Sequence, residues 1–70
     1  MIRLIDFLLI MQSSTEVKIR DEELNVLFTG KSENAYFLVK DNKNFQNTIV
    51  YNFYIFNNTI IIRVAENRGV

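Results

Sequence analysis

Residues 48–66 read TIVYNFYIFNNTIIIRVAE, two runs of β-branched and aromatic residues on either side of Asn57-Asn58. Asparagine tolerates positive φ, and such a pair between two strand-like runs is a strong local signal for a β-hairpin. Centring the turn there pairs Phe56 with Thr59, Ile55 with Ile60, Tyr54 with Ile61, Phe53 with Ile62 and Asn52 with Arg63. Further out the same register pairs Tyr51 with Val64 and Val50 with Ala65. Side chains alternate across a strand. One face therefore carries Ile49, Tyr51, Phe53, Ile55, Ile60, Ile62 and Val64, all uncharged, and is the expected core side. The other carries Val50, Asn52, Tyr54, Phe56, Thr59, Ile61, Arg63 and Ala65. A one-residue slip would bring Asn52 and Arg63 into the core, so the register is well specified.

The second face is too apolar for a plain solvent face and too polar for a core. One reading covers it partly with the chain's own loops or a helix. The other makes it an interface, since Tyr and Arg around an apolar centre match the composition of binding hot spots. The candidate contact residues are Asn52, Tyr54, Phe56, Ile61 and Arg63, with Tyr54 and Arg63 placed diagonally, where ring and guanidinium could stack.

Upstream, MIRLIDFLLIM (residues 1–11) has helical spacing: Ile2, Ile5 and Leu9 form one stripe and Leu4, Leu8 and Met11 the next. Arg3 and Asp6 interrupt it as a surface ion pair. Gln12-Ser13-Ser14 should end this helix. TEVKIRD (residues 15–21) alternates as a half-exposed strand, with Val17 and Ile19 inward and Glu16, Lys18 and Arg20 outward. Asp21-Glu22-Glu23 begins a turn, and a return strand over residues 26–29 stops at Gly30. Residues 33–40 are expected as a short helix capped by Ser32, although Tyr36, Phe37 and Val39 also suit a strand. Phe45 anchors a polar loop, and the tail after Ala65 frays. The expected fold is a single α+β domain over residues 1–70: a small antiparallel four-stranded sheet with an N-terminal helix and a second short helix, in the order α-β-β-α-β-β.

Composition narrows the function classes. The chain has 70 residues, no Cys and no His. It therefore lacks disulfides, thiolate metal sites and the commonest zinc ligand and general base. At this size a core alone supplies roughly 3–5 kcal/mol. With 49% apolar residues and nine aromatics (six Phe, three Tyr), self-association as a dimer is the natural compensation. Eight basic and eight acidic side chains cancel and are interspersed along the chain, so nucleic-acid binding is not expected. The N-terminal apolar run is shorter than the about 20 residues of a membrane span. Asp6 interrupts it as a signal peptide. A cytoplasmic location is expected, which the lack of cysteine fits.

Catalytic signals are absent from the motifs. Asp21-Glu22-Glu23 lacks the alternation and glycine of a calcium loop and reads as a solvated turn. Ser13, Ser14 and Ser32 have no recognisable base, and Gly30 stands alone rather than in a phosphate-binding loop. The reading is therefore non-enzymatic, with no cofactor and no metal.

Taken together, LIDFLLIMQSSTEVKIRDEELNVLFTG and the later NNTIIIRVAE resemble a pattern in small uncharacterised phage and prophage proteins of Gram-positive bacteria. Those begin with a short helix, run into an "evkI-D" strand and turn, and close with an "N-liI-v" strand. The likeness covers most of the chain and rests on hydrophobic pattern and turn placement. It departs at Asp21-Glu22-Glu23-Leu24-Asn25, where a glycine usually makes the turn. The resemblance implies an accessory viral protein in the host cytoplasm, a class that includes inhibitors of bacterial immunity. Three functions stay open: a module binding a host or phage protein, an oligomer sequestering a small ligand such as a nucleotide signal, and a self-associating structural subunit.

Overall fold

A computed structural model describes residues 1–11 and 14–66. The late hairpin is present as β4 (Thr48–Phe56) and β5 (Thr59–Glu66), antiparallel. Asn57 and Asn58 take φ of 51° and 59°, as in the mirror-image turn whose twist suits paired strands. The expected register holds from Phe56–Thr59 to Asn52–Arg63 and then changes. Val50 pairs with Val64 and Ile49 with Ala65, so Tyr51 is the extra residue of a β-bulge, and the expected pairs Tyr51–Val64 and Val50–Ala65 do not form. Strict alternation would bury a phenol and expose Val50. The bulge buries Val50 and leaves Tyr51 at the surface.

Residues 1–11 do not form one helix. Ile2–Arg3 is a short strand, β1, antiparallel to β4 through Ile2–Val50 and Arg3–Ile49. Only Leu4–Leu9 is helical, as α1. A helix this short is marginal by itself; burial of Leu4, Phe7 and Leu8 on one side holds it. Arg3 Nε donates to Asp6 Oδ2 at 3.1 Å in the expected exposed ion pair. Of the other expected endings, Gln12-Ser13 and residues 67–70 of the tail lie outside the described residues; Glu66, the first residue of the tail expected to fray, is instead paired with Thr48 at the end of β5.

β2 (Glu16–Arg20) and β3 (Val26–Lys31) form the first hairpin. β3 continues past Gly30. There φ is +153° and the Phe28 ring lies 3.1 Å from where a Cβ would sit, so the site demands glycine. Leu24 takes φ 70°, the left-handed conformation that a glycine usually supplies at such a turn. Asp21 holds this turn: Oδ1 accepts the N–H of Glu23 and of Asn25, both at 2.9 Å, and Oδ2 accepts Asn25 Nδ2 at 3.1 Å.

Residues Ser32–Lys40 are helical, as α2. Ser32 does not cap it; the cap position is Lys31, without a side-chain bond. Instead the Ser32 hydroxyl accepts the Thr15 N–H at 3.2 Å and its N–H donates to Thr15 O at 2.8 Å, fastening the helix start to the approach to β2. A 3-10 turn at Lys43–Phe45 comes next, with Phe45 packed against the core.

The two hairpins join through β2 and β5, which run parallel from Val17–Ile60 to Arg20–Arg63. The sheet is therefore five-stranded and mixed, in the order β1-β4-β5-β2-β3, not four-stranded and antiparallel. Local pattern does not say which strand of one hairpin abuts which strand of the other. This choice sets Ile19 beside Ile62 on one face, where they pack with Val17, Val50, Val64 and the inner sides of both helices (Leu4, Phe7, Leu8, Ala35, Val39). The result is an α+β domain of two layers, with both helices on one side of the sheet.

Candidate functional site

Among the described residues no helix lies on the other face of the sheet. Register places three rows of side chains there, read from β4 across β5 and β2 to β3: Phe56, Thr59, Glu16, Lys31; Tyr54, Ile61, Lys18, Thr29; and Asn52, Arg63, Arg20, Val26. All five expected contact residues thus share this face. Tyr54 and Phe56 are open to solvent. Ile61 is only 6% exposed and lies outside the main core cluster; between Tyr54 and Lys18 it forms the buried floor of the face, not a contact in its own right.

Four of the eight basic residues interspersed along the sequence are gathered here. Lys18, Arg20, Lys31 and Arg63 project from this face beside the carboxylate of Glu16, which Lys31 pairs at 3.3 Å. Arg20 and Arg63 are direct neighbours across parallel strands, a placement in which like charges repel. Arg20 Nε is directed away, donating to Leu24 O at 3.2 Å. The Arg63 guanidinium lies over the Tyr51 ring at 5.5 Å from its centroid, so the bulge residue takes the stacking role expected of Tyr54. Arg63 Nε is buried without a hydrogen-bond partner among the described residues. Asp21 stands near this cluster: burial pushes its carboxyl up, but the Asn25 side chain, the Asn25 and Glu23 N–H groups and the Arg63 charge together hold it below the ordinary carboxylate value.

The hairpin tip is open on its other side too. Phe53 and Ile55 belong to the helix-side face, yet they are 55% and 72% exposed. The helices are too short to cover the tip, and α1 reaches it only where Phe7 packs on Phe53, ring centroids 5.0 Å apart. β1 covers the edge of β4 at Ile49 and Val50 alone. Residues 51–56 therefore form a bare strand edge with large apolar side chains on both faces.

A cleft of about 520 Å³ lies elsewhere, at the end of the sheet, and is lined among others by Asp21, Glu22, Glu23, Lys43 and Glu66. Among the described residues no three carboxylates are grouped to hold a metal, and no helix is long and apolar enough to cross a membrane.

Sequence reasoning found the five face residues but missed Lys18, Arg20 and Tyr51. Lys18 and Arg20 were legible as outward positions of TEVKIRD; their union with Arg63 depends on the β2–β5 contact. Tyr51 depends on the bulge. No family model, curated protein or solved structure matches the chain.

Proposed function

We propose that this chain is a small non-enzymatic accessory protein of the phage type that acts by binding a protein partner, inhibition of a bacterial defence system being the role its resemblance implies. The observation that carries the reading is the uncovered sheet face, where Tyr54 and Phe56 stand beside Asn52, Arg63, Arg20 and Lys18. Aromatic and Arg side chains concentrate binding energy because they bring large apolar area with few rotamers and directional donors. The charge of the face selects a partner surface with an apolar centre and an acidic rim.

Affinity capture from infected host cells, with rebinding of the purified candidate, tests this. The double variant Tyr54→Ala/Arg63→Ala should weaken rebinding at least about tenfold, and added salt should slow association. A purified partner that binds the double variant as tightly as the wild type overturns the reading.

One observation favours the alternative, a phosphate-bearing small ligand such as a nucleotide: the adjacent Arg20 and Arg63, with Arg63 Nε unpartnered. A thermal shift with nucleotides that is lost in Arg63→Ala would select it over a protein partner.

A further inference from the structure

The open face is one surface; the edge of β4 is another, and it points to a different occupant. Residues 51–56 present a row of backbone N–H and C=O groups that no described strand of this chain pairs. Natural edges are protected by charged side chains, proline, bulges or very short strands. The opposite edge of the sheet shows these devices: β3 carries a register shift at Leu27, Gly30 in a glycine-only conformation and Lys31 held by Glu16. Along residues 51–56 (YNFYIF) there is no charge and no proline, and the one bulge residue, Tyr51, sits at the inner end next to β1. Five of these six side chains are large and apolar or aromatic.

We propose that this edge is filled by the same edge of a second copy, antiparallel, about a twofold axis perpendicular to the sheet near Tyr54. An axis so placed keeps the helix side of both copies on one side of a continuous ten-stranded sheet. Each side chain then meets one of its own kind of face: Phe53 lies opposite Ile55 of the second copy, and Tyr54 opposite itself. A twofold contact needs one patch to be self-complementary, and an uncharged strand with apolar side chains on both faces meets that condition without repulsion. Four aromatic side chains at roughly 150–250 Å² each, with Ile55, all near half exposure, leave on the order of 500 Å² bare per copy. For both copies together that is an upper limit of about 1,000 Å², at the threshold of a specific interface, and the backbone bonds of the joined edges add to it. The same contact covers Ile55 and Phe56, exposed by 72% and 61% in the single chain. The proposal shares Tyr54 and Phe56 with the partner-binding reading but rests on the strand edge and leaves Arg63, Arg20 and Lys18 free, so Arg63→Ala separates the two.

Sedimentation or light scattering on the full chain should give twice the 8.3 kDa chain mass. Hydrogen exchange on that species should show the outward-pointing amides within residues 52–56 protected, and the protection should fall on dilution to monomer. Ile55→Lys, a change at a solvent-exposed site, should give a folded protein of single mass; Phe56→Lys is the second variant should the first fail to fold. Arg63→Ala should leave the dimer intact. A wild-type monomer at high concentration overturns the proposal. So does a dimer that survives both lysine variants, or one whose amides in 52–56 exchange freely, since either joins copies elsewhere.

Discussion

The two hairpins of this molecule are built on opposite plans. In β2 the inward positions are apolar and the outward ones charged, the turn to β3 is held by three bonds to Asp21, and the free edge ends in the Lys31–Glu16 pair. Every apolar side chain of β2 is buried within the chain. In β4–β5 the base, at Val50, Ile62 and Val64, is equally well buried, but the tip of β4 is apolar on both faces and largely bare on both, with Phe7 reaching only Phe53. The inner strand of the first hairpin is complete within one chain, while Val26 and Leu27 of β3 stay exposed; the second hairpin is complete only at its base. The apolar pattern along β4 therefore reports two things at once, a core and a contact, and only the reach of the helices divides them.

The largest expected effect separates the base of the second hairpin from its tip. Ile62 is fully buried between Ile19 and Phe53 on the helix side, so Ile62→Ala should lower unfolding free energy by about 2–5 kcal/mol. Ile55→Ala, measured at concentrations where the chain is monomeric, should change it by less than about 0.5 kcal/mol. Urea unfolding at low concentration compares the two directly. Equal losses would mean that the tip is packed within the single chain, and the contrast between base and tip would fail.

A smaller effect separates the two turns. Leu24 holds a left-handed conformation that costs a side chain about 1–2 kcal/mol, partly offset in a glycine variant by the greater freedom of its unfolded chain. Leu24→Gly should therefore raise stability by about 0.5–1 kcal/mol, read as a higher thermal midpoint. Asn57→Gly should change it by only a few tenths of a kcal/mol, because asparagine already tolerates this conformation. A destabilised Leu24→Gly would show that the leucine side chain has a packing role at that turn.

The smallest effect is electrostatic. The Asp21 carboxyl sits below its ordinary value of 3.8 in the folded chain, so the fold favours its ionised form. That contribution is complete above the unfolded value and is lost as the pH falls through the folded one. The wild type should lose more stability than Asp21→Asn when the urea midpoint is tracked from about pH 5 to pH 3. Parallel curves would show that the carboxylate's charge adds nothing beyond the hydrogen bonds an amide oxygen can accept.

Much of the architecture was legible locally. The Asn57-Asn58 turn, the pairs from Phe56–Thr59 to Asn52–Arg63, the inward Val17 and Ile19, and the helix over 33–40 all arise from interactions between residues close in sequence, which a linear reading captures. Misreadings came where a distant partner decides. Ile2 and Arg3 continue the helical spacing of residues 4–9, yet they pair with β4 because that edge offers backbone bonds a six-residue helix cannot replace. Tyr51 breaks the alternation because keeping it would bury a phenol in place of Val50.

The candidate site divides in the same way. That Asn52, Tyr54, Phe56, Ile61 and Arg63 share a face was settled by period and register, the shortest-range rules of a strand. That Ile61 is the floor of that face, that Tyr51 lies beneath Arg63, and that Arg20 and Lys18 stand next to it was settled by the bulge in β4 and by the parallel meeting of β2 and β5. Between bulges, a sequence determines which side each residue of a strand points to, because alternation is a property of the backbone itself. Which strand becomes its neighbour, and how far a helix on the other side extends, depends on contacts between segments tens of residues apart, and only the folded chain decides them.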